Sequence, residues 1–317
     1  MFIEQIFKYR YEFWRYIVGF LVIIAAIILG QIPLTIAIFF KGGYKVLNMD
    51  QTQMLHLLNS NYSLFLLLLT YAVGLVGIFL VVKFLHKEPI RALTTSRPKV
   101  DWGRIFFSFG VIAAFLIVST LIDYWVNPEN YALNFHSRPF FILLIIAVIF
   151  IPLQTSFEEY LFRGYLMQGF GALFKNRWLP LILTSVIFGG LHFFNPEVTK
   201  LGNLIMFSYI GTGFLLGIIT LMDEGMELSL GFHAANNLVI ALLVTTDWTA
   251  FQTESILKDI SDPSAGYDVF LPLVVVYPLF VLLLAKKYKW HNWKEKLTGR
   301  IEKPLPVTTE EIEQNVE

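Results

Sequence analysis

The chain of 317 residues contains no cysteine, which excludes disulfide bonds, thiolate metal sites and a cysteine nucleophile together. Charged side chains are scarce: Asp, Glu, Lys and Arg make up 15% of the residues, against about 25% in soluble domains. The 24 acidic and 24 basic side chains also cancel, so no net positive field favours nucleic acid as a partner. Since 56% of the residues are hydrophobic, the composition indicates an integral membrane protein.

Three motifs that are typical of well-known hydrolase classes are missing as well. The sequence has no His-Glu-x-x-His segment, which would place two zinc-binding histidines on one helix. It has no Gly-x-Ser-x-Gly turn for a serine nucleophile, and no pair of aspartates is visible inside its apolar runs. Any proteolytic chemistry must therefore depend on other residues.

The apolar residues are grouped in runs of the length that a membrane-spanning helix needs, about 17–25 residues. Eight spans are predicted, near residues 16–40, 62–85, 105–127, 139–168, 178–194, 203–222, 228–246 and 268–286. The fourth is too long for one straight span and contains Pro152, which predicts a kink or break at that point. The pattern predicts an all-α, polytopic transmembrane helical bundle of about eight helices, surrounded by the lipid bilayer.

These runs are expected to form one multi-pass domain over residues 1–304, with a motif-bearing core at about 139–246. Residues 305–317 are polar and acidic, and we expect them to form a disordered tail. Lys and Arg are divided unequally between alternate loops, with 19 on the side of the two termini and five on the other. By the positive-inside rule, this asymmetry predicts a cell-membrane protein with both termini in the cytoplasm.

Two adjacent carboxylates and an arginine, Glu158, Glu159 and Arg163, stand near the end of the fourth run. A charged group at membrane depth costs at least about 2.5 kcal/mol, so such residues usually have a function. On a helix, Glu159 and Arg163 share a face in the order that favours an ion pair. Glu158 points about 100° away and lacks that partner, which makes it the better candidate for a general base. The alternative is that all three only anchor the helix end at the cytoplasmic boundary.

Two further apolar runs contain polar residues. His192 lies in the fifth run, and His233 and Asn237 lie four residues apart in the seventh, on one face of a helix. A single histidine in a membrane helix can be a core residue whose hydrogen bonds are satisfied. Ionisable groups on three separate helices are better explained by a shared polar interior, because such groups usually face the inside of a bundle.

These residue types suit two kinds of site. A carboxylate and a histidine can polarise a water molecule, while a histidine and an asparagine amide can donate hydrogen bonds to an oxyanion. Alternatively, Glu158, His192 and His233 have the composition of a catalytic zinc site, with Glu159 as the base. Asn237 is a poor zinc ligand but a good amide donor, which favours the metal-free site. The residues alone leave both open.

Three spaced motifs carry a family resemblance, and they read EEYLFR at 158–163, FGGLH at 188–192 and HAANN at 233–237. In this order the motifs resemble the signatures of the CAAX protease and bacteriocin-processing (CPBP) family of intramembrane proteases. The resemblance covers about 150 to 245. It implies an α-helical intramembrane endopeptidase whose site opens toward the cytoplasm. The family has been described both as metal-dependent and as a glutamate protease without metal.

The resemblance also implies a substrate class: a membrane-associated protein or peptide near the cytoplasmic surface, of the CAAX type or related to bacteriocins. The same resemblance implies a role for each site residue. Glu158 and His192 activate the water, His233 and Asn237 stabilise the oxyanion, and Glu159 with Arg163 organises the site. A different class of protein stays open at this point. A membrane immunity or scaffold protein would not need the polar cluster, and a transporter would use it to bind an ion, although no internal repeat is visible.

Overall fold

A computed structural model of the chain describes residues 1–264, 266 and 269–303, and the tail predicted at 305–317 lies outside the described residues. Within the described part, thirteen segments are α-helical. They are α1 Phe13–Gly42, α2 Gln51–His56, α3 Ser60–Leu80, α4 Ile90–Thr94, α5 Trp102–Val126, α6 Ser137–Glu159, α7 Met167–Phe174, α8 Trp178–Gly190, α9 Pro196–Leu201, α10 Ile205–Asp223, α11 Glu227–Leu243, α12 Tyr277–Tyr288 and α13 Trp293–Thr298. The predicted all-α polytopic bundle is confirmed.

Five helical runs are long and apolar enough to cross a membrane by length and composition, and they are Phe13–Asn48, Ser60–His86, Trp102–Val126, Ser137–Phe174 and Ile205–Asp223. Two shorter apolar runs, Trp178–Phe194 and Glu227–Leu243, coincide with the fifth and seventh predicted spans. At 1.5 Å per residue, α8 alone is about 20 Å long, which is less than the bilayer core of about 30 Å. The helices that contain the histidine motifs are therefore the short ones.

The structure shows no break at Pro152, where the sequence predicts a kink or a break. The α-helical pattern of α6 continues through Pro152 as far as Glu159. It changes instead to a π-helical segment at Tyr160–Leu166, after which α7 resumes. Proline lacks only one N–H donor, and a membrane helix tolerates it where neighbouring groups satisfy the freed carbonyl. A π segment widens the turn, and such segments occur frequently at functional sites.

Close packing positions α11, the helix that contains His233. It packs against α5 and α6. Gly231 on α11 faces the Ile105 carbonyl oxygen of α5 so closely that an added Cβ would overlap it. A glycine is therefore required at this crossing. α8 and α10 approach similarly, since a Cβ at Gly213 would lie 2.7 Å from the Ser185 carbonyl oxygen.

One end of the bundle gathers the loops in which the sequence is richest in Lys and Arg. Arg177, between α7 and α8, pairs with Glu4 near the N-terminus at 3.0 Å. Arg97, between α4 and α5, pairs with Asp223 at the end of α10 at 2.8 Å. Lys296 of α13 donates to a backbone carbonyl at the end of the same helix. The N-terminus, the α13 segment and these connections therefore share one end, which we call the basic end.

The opposite end contains a small sheet that the sequence did not predict. Its strands are β1 Tyr131–Leu133, β2 Val244–Thr245 and β3 Leu257–Asp259, in the order β1-β3-β2. The pairing of β1 with β3 is antiparallel and that of β2 with β3 is parallel. The seventh predicted span therefore ends at Leu243 rather than 246, where the chain turns into this sheet.

Fusions of a compartment reporter at Lys99 and at Lys258 test the predicted orientation. Lys99 precedes α5 at the basic end, and Lys258 lies in β3 at the other end. We expect the Lys99 fusion to report the cytoplasm and the Lys258 fusion to report the outside, because basic loops are retained in the cytoplasm. Reporters on the same side, or a cytoplasmic signal at Lys258, would contradict the predicted topology.

A buried carboxyl at the basic end predicts a pH-dependent stability. Glu88 is almost fully buried, its Oε1 has no hydrogen-bond partner among the described residues, and burial raises its pKa from 4.5 to about 8. Between these values the unfolded chain has lost a proton that the folded protein keeps, so stability falls as pH rises from about 4.5 to about 8. The slope is at most about 1.4 kcal/mol per pH unit.

We expect Glu88→Gln to remove this fall and to be more stable than the wild type near pH 8. Thermal unfolding in one detergent, at several pH values across this interval, measures the effect. Glu129→Gln, at an exposed position, is the matched control and should keep the wild-type slope. A wild-type slope that persists in Glu88→Gln would show that another group titrates.

Candidate active site

The site forms where the end of α6 packs against α11 and α8. Glu158 and Glu159 are the last two residues of α6, and Arg163 lies one turn later in the π-helical segment. The side chains are deeply buried, with 8% of Glu158 and 0% of Glu159 and Arg163 exposed. His233 projects from α11 into the same place and is also buried. The structure thus brings four of the six predicted site residues together in the bundle interior.

Arg163 and Glu159 form the local pair that their spacing predicted. Arg163 Nη1 donates to Glu159 Oε1 at 2.9 Å, and Nη2 donates to the Gly213 carbonyl of α10 at 3.1 Å. The guanidinium also lies over the ring of Phe188, 4.4 Å from its centroid. A fully buried charge is tolerated only when it is paired and hydrogen-bonded, and the two Nη atoms meet that condition, while Nε has no hydrogen-bond partner among the described residues.

His233 lies between the two carboxylates. Its Nδ1 is 2.8 Å from Glu159 Oε1, and its Nε2 is 3.5 Å from Glu158 Oε2. Because an ionised carboxylate only accepts hydrogen bonds, Nδ1 must carry a hydrogen and donate a hydrogen bond to Glu159. His233 can then donate from Nε2 as well only when the ring is an imidazolium. The sequence grouped His233 with Asn237 in one hypothesis and with Glu158 and His192 in the other, and neither predicted its hydrogen bond with Glu159.

A fifth buried polar side chain, Gln154, was missed by the sequence analysis. Its Nε2 donates to Glu158 Oε1, and its Oε1 accepts from Asn237 Nδ2 at 3.1 Å. Asn237 therefore reaches the carboxylates through Gln154 rather than directly. The available signal was spacing, since Gln154 stands four residues before Glu158 in an apolar helix and so shares its face.

His192 lies beside this cluster rather than inside it. It belongs to the 3₁₀ turn Leu191–Phe194 that follows α8, and its ring stacks on Tyr209 with centroids 4.4 Å apart. Its Nδ1 is 2.8 Å from the Phe188 carbonyl oxygen, so Nδ1 is the protonated nitrogen and Nε2 of the neutral ring is an acceptor. Among the described contacts, His192 has no hydrogen bond to Glu158 or Glu159. The Phe188 ring touches both His192 and His233, with centroids 5.1 and 6.0 Å away.

The geometry does not fit the zinc alternative as it stands. A zinc site would need Glu158, His192 and His233 around one ion with a free nitrogen on each ring. In the structure, both rings use Nδ1 for a hydrogen bond and leave Nε2 available, and His233 Nε2 faces Glu158 Oε2 at 3.5 Å. The misfit lies in His192, which contacts neither carboxylate and stacks on Tyr209 beside the cluster. Within residues 1–264, 266 and 269–303, no group of three or more His, Cys, Asp or Glu residues is arranged to hold a metal ion.

The arrangement has the elements of acid–base chemistry on water. Two buried carboxylate oxygens, Glu158 Oε2 and Glu159 Oε2, have no hydrogen-bond partner among the described residues. Glu158 Oε2 faces His233 Nε2, so an acceptor and a potential donor are directed to one place. Buried carboxylates beside histidine, with an arginine that compensates one of the charges, are typical of a hydrolytic site.

Comparison with known proteins identifies the family of the chain. A family model described as "Type II CAAX prenyl endopeptidase Rce1-like" matches residues 137–239, which contain all six predicted site residues. Over 292 residues the chain is 34% identical to the uncharacterized protein YyaK of Bacillus subtilis (strain 168), covering 89% of this chain and 93% of that protein. No solved structure matches the chain. The chain therefore belongs to the CAAX protease and bacteriocin-processing family of intramembrane proteases.

Proposed function

We propose that this protein is an intramembrane endopeptidase that hydrolyses a peptide bond with a water molecule activated by Glu158 and His192. His233 and Asn237 stabilise the oxyanion, and Glu159 with Arg163 organises the site. The observation that carries the proposal is that His233 lies between two buried carboxylates, one paired with arginine and one without a cationic partner. Membership of the family supports the reaction class.

The two carboxylates have different tasks because their partners differ. Glu159 accepts from both Arg163 and His233, so its negative charge is compensated and it serves to orient these groups. Glu158 accepts from an amide through one oxygen and leaves Oε2 open. A carboxylate with an open oxygen can take a proton from water, and general-base assistance of this kind contributes about 10²–10⁴-fold to a rate.

The two histidines also differ in the nitrogen that is available. His192 donates Nδ1–H to a backbone carbonyl, so its Nε2 is an acceptor that can take or relay a proton from water. His233 donates Nδ1–H to Glu159, and as an imidazolium it presents a second N–H at Nε2. A charged donor beside a developing oxyanion stabilises the transition state more than a neutral one.

The substrate we propose is a membrane-associated protein or peptide that is cleaved near the cytoplasmic membrane surface, such as a lipidated C-terminus of the CAAX type or a bacteriocin-related segment. Two observations support this choice. The site combines the end of α6 with α11 and the turn that follows α8, and the short helices α8 and α11 both begin at the basic end. His233 is six residues into α11, about 9 Å from that end. With the basic end in the cytoplasm, His233 lies in the cytoplasmic half of the bilayer, whereas His192, fourteen residues after Trp178, lies about 20 Å from that end along a straight helix.

Substrate trapping followed by cleavage tests the proposed function. Glu158→Gln protein is used to capture membrane proteins, which are identified by mass spectrometry and then offered to purified wild-type protein. We expect the wild type to cleave a captured protein, with Glu158→Gln inactive and the exposed-site control Glu129→Gln fully active. Activity and elemental content are measured before and after chelation. One bound zinc per chain whose removal abolishes turnover would overturn the metal-free chemistry, and equal cleavage by Glu158→Gln would overturn the proposed function.

A further inference from the structure

Gln154 is a buried polar residue whose hydrogen bonds all go to the candidate site. It is 3% exposed and stands on α6, one turn before Glu158. Its carboxamide donates to Glu158 Oε1 at one end and accepts from Asn237 at the other. Burial of an amide costs free energy unless its groups are hydrogen-bonded, and both partners here are residues with a proposed chemical role.

Three buried hydroxyls on α6 and α8 behave differently. Thr155, its neighbour in sequence, donates only to carbonyls of its own helix. Thr184 and Ser185 on α8 do the same. Such bonds satisfy a polar group locally and connect it to nothing else. Gln154 instead bonds to Glu158 on α6 and to Asn237 on α11, so its orientation affects side chains on two helices.

The direction of the hydrogen bonds along this connection is fixed. Asn236 Nδ2 donates to Asn237 Oδ1, Asn237 Nδ2 donates to Gln154 Oε1, and Gln154 Nε2 donates to Glu158. Each amide thus directs its N–H groups toward the carboxylate. A flipped Gln154 would place its oxygen against the Glu158 carboxylate and its NH2 group against that of Asn237, losing both bonds.

This arrangement determines which atoms remain available for a substrate. Asn237 Nδ2 carries two hydrogens, and Gln154 accepts one of them. The second is left in a defined direction, as an oxyanion donor requires. On Glu158, the bond from Gln154 occupies Oε1 and leaves Oε2 open toward His233. One carboxamide therefore orients the oxyanion donor and the general base at the same time.

We propose that Gln154 is a positioning residue of the site, which orients Asn237 and Glu158 for hydrolysis without itself touching the reacting atoms. The inference rests on the proposed function. It predicts a loss in kcat rather than in KM, because preorganised groups act mainly on the transition state.

Gln154→Met tests this inference, because methionine has a similar length and removes both hydrogen bonds. We expect kcat to fall about 100-fold, near the lower end of the loss seen when an oxyanion donor is removed, with KM changed by less than about threefold. Thr155→Val is the matched control and should change neither constant. Gln154→Asn keeps the amide but cannot reach both partners, so it should show the same loss even if the methionine variant folds poorly.

A double-variant cycle separates positioning from general destabilisation. In an Asn237→Ala background, Gln154→Met should lower kcat much less than in the wild type, because one of the groups it orients is gone. Fully additive effects, or an unchanged kcat in folded Gln154→Met, would overturn the inference. Glu158→Gln is assayed in parallel: if it cleaves as fast as the wild type, the proposed function itself fails, whereas inactive Glu158→Gln with fully active Gln154→Met contradicts only the role of Gln154.

Discussion

Glu158→Gln is expected to lower kcat by about 10²–10⁴-fold while the protein keeps nearly its wild-type stability. The loss follows from removal of the general base, whose contribution lies at about 10²–10⁴-fold. The small effect on stability follows from the contacts of the two Glu158 carboxylate oxygens. Glu158 Oε1 accepts from Gln154, and a glutamine oxygen can accept the same bond. The other oxygen has no hydrogen-bond partner among the described residues and lies 3.5 Å from His233, so the substitution breaks no strong bond.

The measurement is kcat and KM on a captured substrate, together with the unfolding temperature in a fixed detergent. Glu129→Gln controls for the chemistry of the substitution at an exposed position. Two outcomes would contradict the assignment of Glu158 as the base. One is substantial turnover by Glu158→Gln, and the other is a loss of activity that parallels a loss of folded protein.

Glu159→Gln is expected to reduce both activity and stability. Its carboxylate is the partner of Arg163 at 2.9 Å and of His233 at 2.8 Å, and all three side chains are buried. The substitution leaves the Arg163 charge uncompensated in a region of low dielectric constant. Removal of one partner from a buried ion pair costs about 3–5 kcal/mol. Activity falls as well, because His233 loses the group that orients its ring.

A second variant makes this prediction sharper. Glu159→Gln combined with Arg163→Met removes both charges, so the penalty of an unpaired charge disappears. We expect the double variant to recover much of the stability that Glu159→Gln loses, but none of the activity. Thermal unfolding of the wild type, Glu158→Gln, Glu159→Gln and the double variant provides the comparison. Equal stability losses in the two single glutamate variants would contradict the assignment of Glu158 as the base and Glu159 as the partner of Arg163.

The sequence was most informative where the physical rule is local. Runs of apolar residues predict membrane helices because the backbone must satisfy its own hydrogen bonds in lipid, and this rule needs no tertiary information. The pairing of Glu159 with Arg163 could be predicted for the same reason, since residues four apart on a helix are neighbours whatever surrounds them. The three motifs identified the family because their order and spacing are properties of the sequence alone.

The position of the helix irregularity could not be predicted by a local rule. Proline was the visible signal at 152, yet the chain departs from α-helical geometry only at Tyr160–Leu166, where the described structure shows a π segment. No residue type marks that segment in advance. It contains Arg163, whose guanidinium reaches both Glu159 and the Gly213 carbonyl of α10. The departure from α-helical geometry thus occurs in the segment from which Arg163 contacts α10.

The sequence by itself determined that this is a helical membrane protein of the family, which residues could do chemistry, and that Glu159 pairs with Arg163. Only the tertiary structure placed His233 between the two carboxylates and connected Asn237 to Glu158 through Gln154. The physical reason is distance along the chain. His233 and Asn237 lie more than seventy residues from their partners on α6, so their contacts depend on how α6 and α11 pack, and helical periodicity contains no information about that.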